Sequence, residues 1–143
     1  MKTIIPKKAQ APERKWYVID AKGQNLGRLS TKIAGILRGK NKVDFVPFFD
    51  NGDYVVVLNC DQFETTGKKM EDKMYYRHTG YLGGLKSTNL AKLLVKKPAK
   101  PLELAVVGML PKNKLKKDML ARLKLFTGNE HTYIAQKPEL INL

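Results

Sequence analysis

The chain has 143 residues, 43% of them hydrophobic, a formal charge of +14 and one cysteine. Such a length and apolar content suit one domain with its own core and exclude a disordered chain. A single cysteine excludes an intrachain disulfide, and no apolar run approaches the roughly 18 residues that a membrane-spanning helix needs.

The charge is segregated. Residues 1–42 carry eleven basic and two acidic residues, residues 43–66 none and five, residues 67–86 five and two, and residues 87–124 ten and two. An excess of this size repels itself in a folded state unless a polyanion neutralises it, so the partner is nucleic acid or an anionic membrane surface. A membrane binder gathers its cations opposite apolar groups on one helix. Here they are spread over several segments, and nucleic acid is favoured. The start, MKTIIPKKAQAPERK, has no apolar stretch of signal-peptide length, so the chain is expected to stay in the cytoplasm.

In chain order, residues 1–15 form a basic arm with Pro6 and Pro12 and no apolar periodicity, expected to be extended and ordered only by a partner; residues 16–143 are expected to form one α/β domain. Trp16-Tyr17-Val18-Ile19-Asp20 reads as a strand. After the turn Lys22-Gly23-Gln24, Asn25 can cap a helix whose Leu26, Leu29, Ile33, Ile36 and Leu37 share one face, with Gly39 as its stop. Arg28, Lys32 and Arg38 lie largely off that face and, with Lys40 and Lys42, are candidate RNA-binding residues. Gly23 and Gly27 offer an alternative, a nucleotide-binding regulatory domain at this turn, although neither the dinucleotide fingerprint nor the phosphate-loop pattern is present.

Phe45, Pro47, Phe48 and Phe49 anchor a loop, and Asp50-Asn51-Gly52-Asp53 is a turn signal. Tyr54–Leu58 is a continuous apolar run of the kind buried on both faces of a parallel sheet, so strand, helix and strand suggest a right-handed βαβ unit. Cys60 after it reads as a small half-buried residue.

Residues 67–86, GKKMEDKMYYRHTGYLGGLK, mix cations, glycines and three tyrosines. A surface that holds RNA uses such a mixture: cations for phosphates, aromatic faces for bases, glycines for close backbone approach. The other reading is an edge strand followed by a glycine turn with solvated lysines. Lys68 and Lys73 join the candidates. A third strand is expected over Lys73–Thr79 and a turn over Gly80–Lys86. Tyr75, Tyr76 and Tyr81 can stack on bases, although alternation puts Tyr75 or Tyr76 in the core.

Ser87 or Thr88 can cap a helix carrying Leu90, Leu93 and Leu94 that ends before Pro98. The run from Leu102 to Leu110 is ambiguous between helix and strand and is read as helix, with Pro101 in its first turn. Asn113 can cap an amphipathic helix whose Lys114, Lys117, Arg122 and Lys124 form a cationic outer face, and Leu123–Phe126 reads as a last strand.

Enzymatic patterns are missing. His78 and His131 lie in separate loops with no zinc spacing, no nucleophile elbow occurs, and the carboxylates of residues 50–53 lack calcium-loop spacing. No catalytic residue, metal or cofactor is expected.

Five stretches stand in order: RKWYVIDAKGQNLGRLSTKIAGILRGK at 14–40, NGDYVVVLN at 51–59, TGKKMEDKMYYRHTGYLGGLK at 66–86, VVGMLPKNKLKKDMLARLKLFTGNEH at 106–131 and AQKPE at 135–139. Together they resemble the universal large-subunit ribosomal protein family L-thirteen in its bacterial form, over nearly the whole chain from Arg14. The YRHTG-x-x-GG loop and VVGMLP with the basic helix and TGNEH behind it are the most specific pieces. Leu82 stands where many members carry proline, and His131-Thr132-Tyr133 replaces the commoner His-Pro-His. The resemblance implies a three-layer α/β/α single domain around a mostly parallel four-stranded sheet, with a helix over 102–110. It implies a structural constituent of the large ribosomal subunit that binds rRNA early in assembly. Neighbouring large-subunit proteins are the further partners, with no membrane and no homo-oligomer expected. The family's rRNA-facing segments carry over to Arg77, His78, Gly80, Tyr81, Gly83, Gly84, Lys86, Lys112 and Lys114.

Overall fold

The computed structural model describes residues 13–141, and the basic arm expected over residues 1–15 lies outside them but for its last three residues. Those three run along the domain. The Glu13 carbonyl accepts from Lys42 Nζ at 3.0 Å, Arg14 meets Asp50 at 3.4 Å and the Lys15 amide donates to Asp53 Oδ1 at 3.0 Å.

Alternation organises the sheet. Strand β1 (Trp16–Asp20) is joined through helix α1 (Leu26–Arg38) to strand β2 (Tyr54–Leu58), which pairs with it in parallel from Trp16↔Tyr54 to Asp20↔Leu58. Helix α2 (Lys69–Asp72) and strands β3 (Met74–His78) and β4 (Leu85–Asn89) follow, then helices α3 (Leu90–Lys96), α4 (Lys100–Met109) and α5 (Lys116–Ala121). Strand β5 (Leu123–Leu125) adds to β2 and strand β6 (Glu139–Leu140) to β1, completing a parallel four-stranded sheet in the order β5-β2-β1-β6. Odd positions of β1 and β2 face the larger core. Ile19, Val55 and Val57 pack there with Leu29, Ile33 and Leu37 of α1, Leu102 and Val106 of α4, and Met119 of α5. Even positions Val18, Val56 and Leu58 face a smaller cluster with Trp16, Phe126 and Tyr133, where Trp16 stacks on Tyr54 at 4.1 Å between centroids. The α/β class holds with uneven layers: helices fill one face, and the C-terminal segment with its short 3-10 turn, Ile134–Gln136, supplies the cover of the other.

Helix α1 follows its local code. Its apolar residues at helical spacing are all buried, the Asn25 side chain accepts from the Gly27 amide at 3.1 Å, and Gly39 ends it in the left-handed region. Helix α4 resolves the ambiguous run as helical, with Pro101 in its first turn.

Long-range contacts correct six expectations. The third strand exists as β3 but stays out of the parallel sheet. It pairs antiparallel with β4 in a separate two-stranded ribbon, because MYYRH has too few apolar residues to be covered on both faces. Lys86, Ser87 and Thr88, expected in a turn and a cap, are strand residues, and Asn89 caps α3 by accepting from the Lys92 amide at 3.0 Å. Asn113 does not cap α5 with its side chain; the helix starts at Lys116, and Asn113 gives its backbone carbonyl to the Lys116 amide at 3.2 Å. Residues 50–53 form no turn and are largely buried. Cys60 is fully buried, and burial, with the Asp61 carboxylate second, pushes its thiol up to about 11.

The sixth correction matters most. Arg122, expected on a cationic outer face, is 2% exposed. Its two terminal nitrogens fork onto the two oxygens of Asp50, and one of them also donates to the Leu37 carbonyl at 3.1 Å. This ties the junction of α5 and β5 to the end of α1 and to the segment entering β2. Gly52 lies in the same knot: a Cβ there would fall 1.8 Å from the Leu37 carbonyl oxygen, so the backbone closes only around glycine.

Arg122→Ala is expected to cost about 3 kcal/mol in urea unfolding, the lower end for breaking a buried pair, since Asp50 keeps only its 3.4 Å contact with Arg14 and the Leu37 carbonyl loses its donor, while Lys117→Ala moves stability by less than about 0.5 kcal/mol. Equal effects would return Arg122 to the surface. For Cys60 the raised value keeps the folded thiol neutral where the unfolded one ionises. Stability is therefore intact below the ordinary value of 9.0 and falls as pH rises toward about 11. Cys60→Ala is expected to remove that component, and iodoacetamide at pH near 8 to label only unfolded chain.

Candidate nucleic-acid interface

The ribbon of β3 and β4 meets the rest of the chain chiefly through α2 and α3. Its root is fixed. The Leu90 amide donates to the Lys73 carbonyl at 3.0 Å, and Tyr75 turns inward to pack on the core, where burial raises its phenol above the ordinary value. Beyond the root no residue of either strand is buried. A free two-stranded ribbon is marginal in water.

Register divides the ribbon into two faces. Tyr75 and Arg77 lie on one, opposite Thr88 and Lys86; Met74, Tyr76 and His78 lie on the other, opposite Asn89, Ser87 and Leu85. Arg77 and Lys86 are direct cross-strand neighbours, a like-charge pair that destabilises the free ribbon. The other face leaves Tyr76 66% and Leu85 61% exposed, and Tyr81 at the tip is 80% exposed. An anion between the two cations converts the repulsion into attraction, and exposed aromatic faces are platforms for bases.

The tip is built for this presentation. The Thr79 amide donates to the Gly84 carbonyl at 3.1 Å, the Gly84 amide to Tyr81 at 2.9 Å and the Gly80 amide to His78 Nδ1 at 3.0 Å. Gly80 and Gly83 take φ of +93° and +70° with nothing within 4 Å of a built Cβ, so conformation rather than crowding requires glycine. A Cβ on Gly84 would fall 2.1 Å from Thr79 Oγ1, which closes the turn.

The structure sorts the other candidates into two groups. Arg28 and Lys32 are exposed on the first half of α1, beside Thr31, whose hydroxyl approaches Met109 Sδ of α4 at 3.5 Å. Lys112 and Lys114 are exposed in the loop that leaves this end of α4, and Lys68 and Lys73 flank α2 at the ribbon root. Lys117 is exposed on α5. Arg38, Lys40 and Lys42 lie at the far end of α1, about 15 Å away at the helical rise. Two of these do structural work. Arg38 lies 5.2 Å over the Phe45 ring, and Lys42 pairs with buried Asp53 at 2.6 Å. Among the described residues, Lys42 is the one candidate cation within salt-bridge distance of a carboxylate.

Lys69 went unnoticed in the sequence. It stands with Lys73 at i, i+4 spacing across α2, donates to Thr66 Oγ1 at 2.9 Å and lines a cleft beside α1. The spacing was visible; the helix was too short to announce itself.

The turn at Gly23–Gly27 offers no anion cradle. Four of its five amides are taken: Gly23 donates to Gln62, Gln24 to Ala21, Leu26 to Glu64 and Gly27 to the Asn25 side chain. Among the described residues no group of three or more His, Cys, Asp or Glu could hold a metal ion, and no helix is long and apolar enough to cross a membrane.

The family model described as ribosomal protein L13 matches residues 14–132. The chain belongs to the ribosomal protein L13 family. Three relatives named large ribosomal subunit protein uL13 extend the likeness to full length. The protein of Lawsonia intracellularis is 53% identical over 143 residues, covering 100% of this chain and 99% of its own. That of Alcanivorax borkumensis is 51% identical with 100% of each covered. That of Symbiobacterium thermophilum is 52% identical over 130 residues, 91% of each. The family match spans the ribbon and strands β1, β2 and β5 of the parallel sheet and ends before β6.

Arg77→Gln is expected to leave the free protein as stable or a few tenths of a kcal/mol more stable, because it removes a cross-strand repulsion. A loss above about 1 kcal/mol in urea unfolding would mean that Arg77 packs rather than presents.

Proposed function

We propose that this chain is a structural constituent of the large ribosomal subunit that binds large-subunit rRNA and assists early subunit assembly in the cytoplasm. Membership in the ribosomal protein L13 family carries the role and makes the chain a structural component rather than an enzyme. The observation that supports the RNA contact is the ribbon, which opposes Arg77 to Lys86 and leaves Tyr76 and Tyr81 exposed on a scaffold with little stability of its own.

The mechanism is scaffold binding. Folded RNA is read through its backbone, 2′-hydroxyls and shape, because its major groove is too deep and narrow for side chains. Arg28, Lys32, Lys68, Lys73, Arg77, Lys86, Lys112, Lys114 and Lys117 neutralise phosphates of segments distant in the RNA sequence, and holding these together lowers the cost of folding them. Arg77 offers a fork for two phosphate oxygens. Gly80, Gly83 and Gly84 let the tip approach the backbone, with His78 and Tyr81 beside it. Arg38, Lys40 and Lys42 contribute less, since Arg38 and Lys42 have partners within the protein. Neighbouring subunit proteins are the remaining partners, and the chain enters as a single copy.

The full chain is expected to bind large-subunit rRNA with a log affinity that falls linearly with log salt, each phosphate contact adding about 0.7–0.9 to the slope. Arg77→Gln lowers affinity and removes about one such increment. Salt-insensitive binding, or failure to cosediment with large subunits at low salt, would refute the reading.

A further inference from the structure

The start of α1, the ribbon root and the C-terminal half of α4 enclose a cleft of about 380 Å³, a size that suits a small ligand. Its two sides differ in chemistry. One is apolar: Leu104 and Met109 keep 36% and 45% of their surface exposed, and between them Gly108 has nothing within 4 Å of a built Cβ. The other carries Lys69, Lys73 and Thr66. Lys69 is held by its bond to the Thr66 hydroxyl, and among the described residues neither lysine has a carboxylate within salt-bridge distance. Glycine weakens a helix relative to alanine, and Gly108 has ordinary helical conformation with room for a side chain. What its lack of a side chain does is keep the cleft open.

We propose that this cleft takes one unpaired nucleotide of the bound RNA, with its base against Leu104, Gly108 and Met109 and its phosphate between Lys69 and Lys73. The apolar side alone would suit a hydrophobic peptide, but across it stand two cations without carboxylate partners among the described residues, Lys69 held by the Thr66 hydroxyl and Lys73 lying 5.7 Å over the Tyr75 ring, and these select a ligand with a flat apolar part and an anionic part. Lys73 also leads directly into β3, so an RNA strand following the ribbon reaches the cleft without leaving the protein surface. The lysines hold the phosphate, because the first amides of α1 are already engaged by Glu64 and Asn25. Unpaired bases splayed from RNA are the usual targets of such pockets. This rests on the rRNA-binding reading above and adds to it a site that holds a base.

The test compares the full chain with Gly108→Leu, Lys69→Gln and Gly35→Ala on a large-subunit rRNA transcript. Affinity, salt slope, melting temperature and base reactivity toward a chemical probe are recorded. Gly35 is a helix glycine of α1 that also has open space around it, outside the cleft, and serves as control. Gly108→Leu is expected to keep the melting temperature and the salt slope while weakening binding roughly tenfold, the scale of one lost stacked base. One base protected by the wild-type protein becomes reactive. Lys69→Gln lowers affinity and takes about 0.7–0.9 off the slope, and Gly35→Ala binds as wild type. A folded Gly108→Leu with wild-type affinity and an unchanged reactivity pattern overturns the proposal. If that variant folds poorly, the exposed Lys69→Gln decides, and an unchanged affinity and slope overturn it equally. A wild-type chain that does not bind the transcript at all refutes the rRNA reading itself, a result distinct from failure of the cleft alone.

Discussion

The fork between Arg122 and Asp50 ties together the end of α1, the entry to β2 and the junction of α5 and β5, which also meet through the core and the β2–β5 pairing. A guanidinium is costly to bury, and the cost is offset only when its donors are satisfied. Here Asp50 takes two donors and the Leu37 carbonyl a third contact, while the buried Nε has no partner, so the cost is offset in large part and not in full. The end of α1 thereby gains a partner for an otherwise orphaned carbonyl, β2 gains a fixed entry, and β5 is set beside β2 in register. Gly52 lets the backbones close to this distance. With β5 placed, α5 and the loop carrying Lys112 and Lys114 have a defined position on the domain.

The same knot explains where the acidic stretch went. Residues 43–66 carry five carboxylates and no cation, yet Asp50 faces Arg122 and Arg14, and Asp53 faces Lys42 and the Lys15 amide. Two of the five, Asp50 and Asp53, thus neutralise cations that build the fold, while Asp44, Asp61 and Glu64 stay exposed. The cations of the ribbon, its root and the 112–117 segment are left without carboxylate partners among the described residues. Solubility does not need such a separation, since a soluble surface mixes its signs. An electrostatic surface that awaits a polyanion does.

Much of this was legible locally. Asn25, the apolar spacing from Leu26 to Leu37 and Gly39 describe one helix end to end, and the run Tyr54–Leu58 reads as a strand covered on both faces, because cap chemistry and periodicity act within a few residues. The ribbon was half legible: YYRHT looked like a strand, but its partner LKSTN has no apolar alternation, so nothing local said that β3 pairs there and not in the main sheet. Asn113 had the right chemistry for a cap in the wrong place. Arg122 and Asp50 are 72 residues apart, and no spacing rule reaches that far. Helical periodicity put Arg122 outside with the lysines, whereas guanidinium, with its planar fork, is the cation most readily buried against a carboxylate. Family resemblance singled out the loop after Tyr75-Tyr76, and the structure supplied the two faces of the ribbon that carries it.

Those faces bear on what the free protein is. The parallel sheet and its helices have a core that needs no partner, but the ribbon has a like-charge pair across its strands, an exposed aromatic face and a root of few contacts. An anion placed between Arg77 and Lys86 would stabilise its ordered geometry, and the binding energy would then add to the stability of this segment. A rigid domain with a marginal ribbon can meet RNA segments before they are fully arranged and tighten as phosphates arrive. That order of events is available to an early-binding scaffold, and it follows from placing satisfied cations in the core and unsatisfied ones on the ribbon.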